Sequence, residues 1–173
     1  MMFRSAIFAT AAMLTVSTAA VAADAPTDPQ IAHIAYTAGN LDIAAGKQAL
    51  AKSHNKAVRD FAQEMVRDHT AVNDKALALV KKLKVTPQDN PTSQALTKAA
   101  DAERAKLAKM SGAAFDREYV NNEVAFHKTV NNALSSTLIP SAHNAELKSL
   151  LQTGLTLFKE HQAHAEMLAA KLK

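Results

Sequence analysis

The chain has 173 residues and no cysteine, and its 20 basic and 16 acidic residues give a formal net charge of +4. These features exclude disulfides and cysteine nucleophiles, and a mild charge without an arginine-rich run or an aromatic cluster argues against nucleic-acid binding. The length beyond the N-terminal segment suits one domain that buries about two-thirds of its unfolded surface.

The first 22 residues have the pattern of a secretory signal peptide. MMFR is a short basic start, AIFATAAMLTVSTA has the length of an h-region, and an A-x-A cleavage site lies at residues 20–22. We therefore predict cleavage and export to the periplasm or the medium, with an uncleaved membrane anchor as the alternative. Loss of Arg4 lowers the formal charge from +4 to +3 (4 − 1). No later segment reaches about 18 apolar residues, so we expect no stable membrane span after cleavage.

Residues 23–28 form a linker, and a first pair of long helices follows. We predict Asp28 as an N-cap acid and the proline that follows it at the first helical position, so that helix one runs over about Pro29–Ser53. Asn55 caps helix two, which we predict over about Lys56–Lys84. Because so short a loop joins two long helices, we expect them to pack antiparallel.

A crossover leads to the second pair of long helices. Residues 92–109 favour a helix but contain few large apolar groups, so we predict a short, partly exposed helix there. Helix three is predicted over about Ala113–Leu138, capped by Ser111 and ended by Pro140. Asn144 caps helix four, whose apolar stripe continues to Leu172.

The fold class that follows is all-α. We predict an antiparallel four-helix bundle of the ferritin-like type, with a short extra helix on the crossover between helices two and three. Residues 29–173 form this single domain.

Acids and histidines interrupt the apolar stripes of all four long helices. A helix core excludes such residues unless they have partners. The helical rise places Asp42 level with His69, and Glu123 level with His161, while His127 lies about 6 Å nearer the loop. The complete set to be placed is Asp42, Asp68, His69, Glu123, His127, Glu160 and His161.

Two interpretations of this polar layer compete. In the first, a transition metal ion (iron, zinc or copper) is bound, because facing carboxylates and histidines build metal sites in bundle cores. The candidate ligands are Asp42, Asp68, His69, Glu123, His127 and His161. In the second, the same groups form a buried hydrogen-bonded network that fixes helix register without metal. The di-iron signature Glu-x-x-His is missing from helices two and four, which argues against a di-iron oxidase centre.

A narrower alternative is a copper site of methionine and histidine side chains. His161, His164 and Met167 recur every three residues, and Met65 precedes His69 by four. Methionine is also a routine core residue, and we expect His164 at the margin of the stripe.

The remaining histidines and the two tyrosines are not candidate site residues. The histidines lie near helix ends or loops, where we expect them to be solvated; they are His33, His54 and His143. We expect Tyr36 and Tyr119 at the edge of the core.

Three motifs resemble a bacterial exported family catalogued as domain of unknown function 4142, whose members look like ferritin-like bundles. They are FAQEMVRDHTAVND, MSGAAFDREYVNNEVAFH and TLFKEHQAHAEML, and the resemblance covers about residues 30–170. It implies that the family's characteristic histidines are His69, His127 and His161. It also implies that a glutamate near a Gly-Lys pair in that family corresponds to Asp42 here, with Gly46 following. The resemblance implies no reaction.

Two functions are therefore predicted as alternatives. One is an exported bundle that sequesters or handles a transition metal, with the ion as its partner. The other is a non-catalytic structural or interaction protein of the cell envelope, whose partner is another envelope protein or further copies of this chain. No Gly-rich phosphate loop and no Ser–His–Asp arrangement supports hydrolase or transferase chemistry.

Overall fold

A computed structural model describes residues 25–172, and within that range the chain is helical almost throughout and contains no β-strand. The predicted all-helical class is confirmed, whereas the predicted signal peptide, residues 1–22, lies outside the described residues. The five long helices are α1 (Asp28–Lys52), α2 (Lys56–Leu83), α3 (Pro91–Ala108), α4 (Gly112–Ala133) and α5 (Ala145–Lys171). A π-helical stretch, Leu134–Leu138, and a single turn, Ile139–Ser141, continue α4 toward α5.

Helices α1 and α2 pack closely along each other. Residues 53–55 reverse the chain, so that Asp42 of α1 lies beside His69 of α2. Nearer the loop, a Cβ atom at Gly46 would lie only 3.0 Å from the carbonyl oxygen of Ala62, so the glycine permits this close approach. The small residues that the sequence places in α1 thus bring the two polar side chains together.

The start of α1 differs from the prediction. Thr27, not Asp28, occupies the N-cap position. The carboxylate of Asp28 instead accepts hydrogen bonds from the backbone N–H groups of His143 (2.9 Å) and Asn144 (2.8 Å), which ties the start of α1 to the turn before α5. The predicted asparagine caps Asn55 and Asn144 are confirmed, because the side chain of each accepts backbone N–H groups of the first helical turn. Asn90 caps α3 in the same way, with its side chain accepting the N–H group of Ser93.

The end of α4, which corresponds to the predicted helix three, differs from the prediction. Pro140 does not stop it, because the chain stays helical to Ser141, but the stretch Leu134–Leu138 widens into a π turn. A proline has no N–H group and its ring clashes with the carbonyl group four residues earlier, and a π turn relieves that crowding. In this stretch the hydroxyl of Ser136 donates to the carbonyl oxygen of Asn132 at 2.6 Å.

Helix α3 lies on the crossover and packs against α1 and α4. It buries only Ser93 and Leu107, which confirms the partly exposed helix predicted there. Among the helices of residues 25–172, none combines the length and the apolar character needed to cross a bilayer.

Two apolar clusters fill the interior on opposite sides of the polar layer. One contains Phe61, Phe115 and Tyr119, and the other contains Ile31 and Leu151. Tyr119 is completely buried, so its predicted place at the core edge is wrong; its ring stacks near that of Phe115, with centroids 6.3 Å apart. The polar residues are therefore the middle layer of the bundle.

Candidate metal centre

Five of the six predicted ligands lie inside the core. Each is at most 3 % exposed; they are Asp42, His69, Glu123, His127 and His161. The sixth, Asp68, lies at the margin with 18 % of its side chain exposed. Glu160, which the sequence placed in the layer beside His161, is exposed and lies outside the buried layer.

Three histidines from three helices surround a common space. The ring centroids of His69 and His127 are 5.6 Å apart, those of His69 and His161 are 5.3 Å apart, and those of His127 and His161 are 5.5 Å apart. One ring nitrogen of each lies within 4.8 Å of a ring nitrogen in the other two. This separation leaves room for an ion between the rings.

The two buried acids lie beside this triplet. Oδ2 of Asp42 is 3.3 Å from Nε2 of His69 and 3.5 Å from Nε2 of His127. Oε2 of Glu123 is 3.5 Å from Nδ1 of His127. Asp42, Glu123 and His127 thus form a second group of potential ligands that shares His127 with the first.

The sequence places Glu123 level with His161 in the second pair of long helices, and the structure differs in which side chain reaches His161. It is His127, not Glu123, whose side chain meets His161. Helical side chains lean toward the N-terminus of their own helix. His127 therefore leans away from the turn that joins α4 to α5, His161 leans toward it, and the two rings converge.

The hydrogen bonds of two histidines indicate which nitrogen is free. Nδ1 of His127 lies 3.0 Å from the carbonyl oxygen of Glu123, which can only accept, so Nδ1 carries the proton and Nε2 presents a lone pair. Nε2 of His161 lies 3.1 Å from Oδ2 of Asp68, so that nitrogen donates to the carboxylate and Nδ1 is left with a lone pair. Both free nitrogens are buried and have no hydrogen-bond partner.

The layer as a whole is poor in hydrogen bonds. Seven buried atoms make none: both carboxylate oxygens of Asp42, both ring nitrogens of His69, Oε2 of Glu123, Nε2 of His127 and Nδ1 of His161. Each unsatisfied buried polar group costs about 1–3 kcal/mol, and native cores contain few of them. A convergent set of unpartnered oxygen and nitrogen lone pairs fits a bound cation.

Burial governs the protonation of these groups. It raises the pKa of Asp42 to about 8, and burial together with the charge of Asp42 raises the pKa of Glu123 well above its usual range. Burial lowers the pKa of His127 to about 4 and that of His69 well below its ordinary value. Burial also lowers the pKa of His161, although the hydrogen bond to Asp68 opposes it. At neutral pH the imidazoles are neutral and can bind a cation.

Side chains around the layer fix its geometry. The ring of Phe158 stacks on that of His69, with centroids 4.6 Å apart and planes 11° apart. Asp68 accepts a hydrogen bond from Nε of Arg67 at 2.7 Å. Burial would raise the pKa of Asp68, but the hydrogen bonds from Arg67 and His161 outweigh it and hold that pKa below its ordinary value. Asp68 is therefore a charged partner behind His161.

The methionine and histidine set for copper is not brought together. The side chain of Met167 is 60 % exposed, whereas Met65 lies in the core. His164 lies at the margin as predicted, where its Nδ1 is 2.8 Å from Oε2 of Glu64. Sequence analysis did not identify Glu64 as this partner, because the pair joins two helices that lie far apart in the sequence.

A pocket of about 220 Å³ between α1, α3 and α4 reaches the two buried acids. Asp42 and Glu123 line it together with Glu103 and Arg104 of α3. Oε1 of Glu103 is buried and has no hydrogen-bond partner. Sequence analysis missed Glu103, because a helix of small and charged residues gives no apolar stripe from which to infer an inward side.

The histidines outside the layer follow the prediction in part. His54 and His143 are exposed, as expected. His33 is half-buried, and its Nδ1 lies 3.9 Å from Oδ1 of Asp89.

Comparison with known families, curated proteins and solved structures gives one match. No curated protein and no solved structure matches the chain. A sequence model of the family described as "Domain of unknown function (DUF4142)" matches residues 14–168. That match covers most of the chain, including the polar layer and all five long helices except the last residues of α5, and so the protein belongs to the DUF4142 family.

Proposed function

We propose that the protein is a ferritin-like, antiparallel four-helix bundle that binds a transition metal ion in its polar layer. Helices α1, α2, α4 and α5 form the bundle, and α3 lies on the crossover. The single observation that carries the proposal is the convergence of buried ligand atoms: those of His69, His127 and His161 lie within 4.8 Å of one another, and so do those of Asp42, Glu123 and His127. Seven nitrogen and oxygen atoms of these five residues have no hydrogen-bond partner. The function is to sequester or handle the metal, and no reaction is assigned.

The ligands in this proposal come from both groups. His69, His127 and His161 supply imidazole nitrogens, and Asp42 and Glu123 supply carboxylate oxygens. Three imidazoles with one carboxylate suit four-coordinate zinc, and addition of the second carboxylate suits iron; copper also accepts such donors. Asp68 differs from the other predicted ligands, because we assign it the outer position that orients His161.

The pocket beside α3 supplies a route for the ion. It reaches Asp42 and Glu123 from the surface, and the unpartnered oxygen of Glu103 lies on the way. A carboxylate at this place raises the local concentration of cations at the opening. The positive charge of Arg104, which also lines the pocket, lowers the local concentration of cations. The rate of metal uptake therefore depends on the opposing charges of Glu103 and Arg104.

We also propose that the protein acts outside the cytoplasm after removal of residues 1–22. The basic start, the apolar run and the A-x-A site support this. Cell fractionation with mass spectrometry of the purified N-terminus tests it. A mature start at Ala23 or Asp24 in the periplasmic fraction is expected, and an intact N-terminus in the cytoplasmic fraction would contradict export.

A second candidate function is a structural or interaction protein of the cell envelope in which the polar layer only fixes helix register. The acid–histidine distances of 3.1–3.5 Å across the helices favour it, since such pairs can lock one arrangement. This candidate predicts a protein free of metal whose stability falls when either partner of a pair is removed.

Elemental analysis of the protein, purified from the periplasm without a histidine tag, separates the two functions. We expect near-stoichiometric metal in the wild type and none in the double variant His69→Ala/His161→Ala. The matched control is His54→Ala/His143→Ala, which removes two exposed histidines and should keep the metal. A wild type that is free of metal and does not bind added iron, zinc or copper would contradict metal binding.

A further inference from the structure

A second, larger cavity lies in the half of the bundle that contains Ile31 and Leu151. It has a volume of about 570 Å³, and all five helices line it. It exists because small residues occupy lining positions on four different helices, namely Ala38 on α1, Ala76 on α2, Ala133 on α4 and Gly154 on α5. The opposite half of the bundle contains the three largest fully buried side chains, Tyr119, Phe61 and Phe115.

The lining is mainly apolar and carries no charged side chain. None of the 27 residues that line the cavity is an acid, a lysine, an arginine or a histidine, so no lining side chain can pair with a charged group. The amide nitrogen of Asn73 has partners within the protein, because its Nδ2 donates to Oδ1 of Asn40 at 2.9 Å. An apolar cavity of this kind loses dispersion contacts when it is empty, and it holds water poorly.

The shape of the cavity suits an elongated molecule. Its lining on α2 runs from Val72 to Val80, and the eight steps between these residues span roughly 12 Å of helix. Phe158, which stacks on His69, is part of the lining and separates the cavity from the polar layer. Exposed threonines contribute to the lining where the surface is near, among them Thr92 and Thr129.

We propose that this cavity binds a neutral molecule with a long apolar chain, such as a fatty alcohol, with its uncharged polar head near the threonines. Volumes of 300–1,000 Å³ with mainly apolar walls are typical of small-molecule sites. A charged head would have no ion-pair partner in the lining, whereas a hydroxyl head can exchange hydrogen bonds with the threonines. This activity is separate from metal binding, because none of the five buried polar-layer residues lines the cavity.

The test compares three ligands that share a ten-carbon chain and differ only in their heads. Decanol, decanoate and decyltrimethylammonium are titrated into the metal-free protein by isothermal titration calorimetry. We expect decanol to bind with one molecule per chain and about tenfold more tightly than either charged ligand. Equal or tighter binding of decanoate, or no binding of decanol, would overturn the proposal.

A matched pair of variants locates the binding. Ala76→Phe fills the cavity and should weaken decanol binding about tenfold. Ala78→Phe makes the same change two residues away on an exposed face of α2 and should leave binding unchanged. Ala133→Leu, on the facing wall, provides a second filling variant should Ala76→Phe not fold, as judged by circular dichroism. Wild-type affinity in a folded filling variant would overturn the assignment to this cavity.

Discussion

The two ring nitrogens of His161 lie in different environments. Its Nε2 donates to Asp68 at the half-buried edge of α2, and its Nδ1 faces the interior without a partner. A carboxylate behind a ligating histidine fixes the ring orientation and increases the basicity of the free nitrogen. Asp68 therefore matters to the layer although it is not one of its five buried members.

Substitution of Asp68 tests this role. Asp68→Asn keeps the size and an acceptor oxygen but removes the charge, so we expect metal affinity to fall about tenfold while one ion still binds. Asp74→Asn, an exposed position on the same helix, should leave the affinity unchanged. Competition with a chromophoric chelator measures both. An affinity equal to that of the wild type in Asp68→Asn would contradict the positioning role.

The pH dependence of stability tests the protonation of Asp42. The ordinary pKa of an aspartate is 3.8, but folded Asp42 keeps its proton up to about 8. Between these values the folded state binds more protons than the unfolded state, so the free energy of unfolding falls as pH rises. The groups facing Asp42 are His69, His127 and Glu123. The two histidines act in the opposite direction, but only below their ordinary pKa of 6.5.

The window from pH 6.5 to 8 thus isolates the buried acids. In the metal-free protein we expect unfolding free energy to fall there by on the order of 1 kcal/mol per pH unit and per acid. Asp42→Asn should reduce this slope, because the amide does not titrate. Urea unfolding in the presence of a chelator measures it. A wild-type stability that stays constant or rises across the window would contradict a protonated acid pair.

At the scale of helices, close approach of α1 and α2 determines whether the layer can form. A Cβ atom at Gly46 would lie 2.9 Å from Cγ2 of Val66 and 3.0 Å from the carbonyl oxygen of Ala62. A stiff valine and a backbone atom cannot move aside at low cost. The layer lies one turn of α1 away, at Asp42, so a change in helix separation there alters the ligand distances.

Two glycine-to-alanine substitutions separate crowding from helix propensity. Gly46→Ala should lower stability by about 1 kcal/mol, since overpacking outweighs the propensity gained. Gly154→Ala should raise stability by about 1 kcal/mol, because its Cβ would contact only the ring of Phe158, at 3.4 Å. Thermal or urea unfolding gives both values. A stabilised Gly46→Ala would show that the two helices are not held this closely.

Helix boundaries were predictable where local chemistry decides them. Asn55 and Asn144 cap their helices because an asparagine side chain accepts the first free N–H groups wherever the helix packs. The role of Asp28 was not predictable, because its partners are backbone groups more than a hundred residues away. The π turn before Pro140 was not predictable either, because a proline usually ends a helix, whereas here the chain stays helical to Ser141.

The residues that form the site were more predictable from the sequence than the way in which their side chains meet. Asp42 and His69 interrupt apolar stripes, and the rise per residue places them level, as found at 3.3 Å. The meeting of His127 with His161 depends on the lean of side chains, which residue counting ignores. The inward position of Glu103 was not predicted, because it depends on where α3 crosses the bundle and not on a local sequence pattern.

For the whole molecule, the polar layer separates two apolar clusters and takes side chains from α1, α2, α4 and α5. A ligand held by such a layer stabilises the folded state by mass action. At about a thousandfold excess over the dissociation constant, bound metal should add roughly 4 kcal/mol to the free energy of unfolding. His69→Ala/His161→Ala should lose this increment, as measured by urea unfolding with and without metal. An equal increment in the variant would place the bound metal elsewhere.

The pocket beside α3 governs access in this account. Glu103→Gln should slow metal uptake roughly threefold at low ionic strength without changing the final stoichiometry. Asp60→Asn removes an exposed acid of α2 that pairs with Lys56 and does not line the pocket, so uptake should stay unchanged. Stopped-flow competition with a chelator gives the rates. Equal slowing in both variants would indicate a general charge effect rather than a route through the pocket.

The most direct measurement is an anomalous-difference map of crystals grown with the metal that copurifies. The account predicts one peak in the polar layer, about 2.0–2.2 Å from ring nitrogens of His69, His127 and His161, with a carboxylate oxygen of Asp42 or Glu123 at similar distance. Ordered water alone in that space, or a metal peak only outside the layer, would contradict it. The layer would then be a device for helix register.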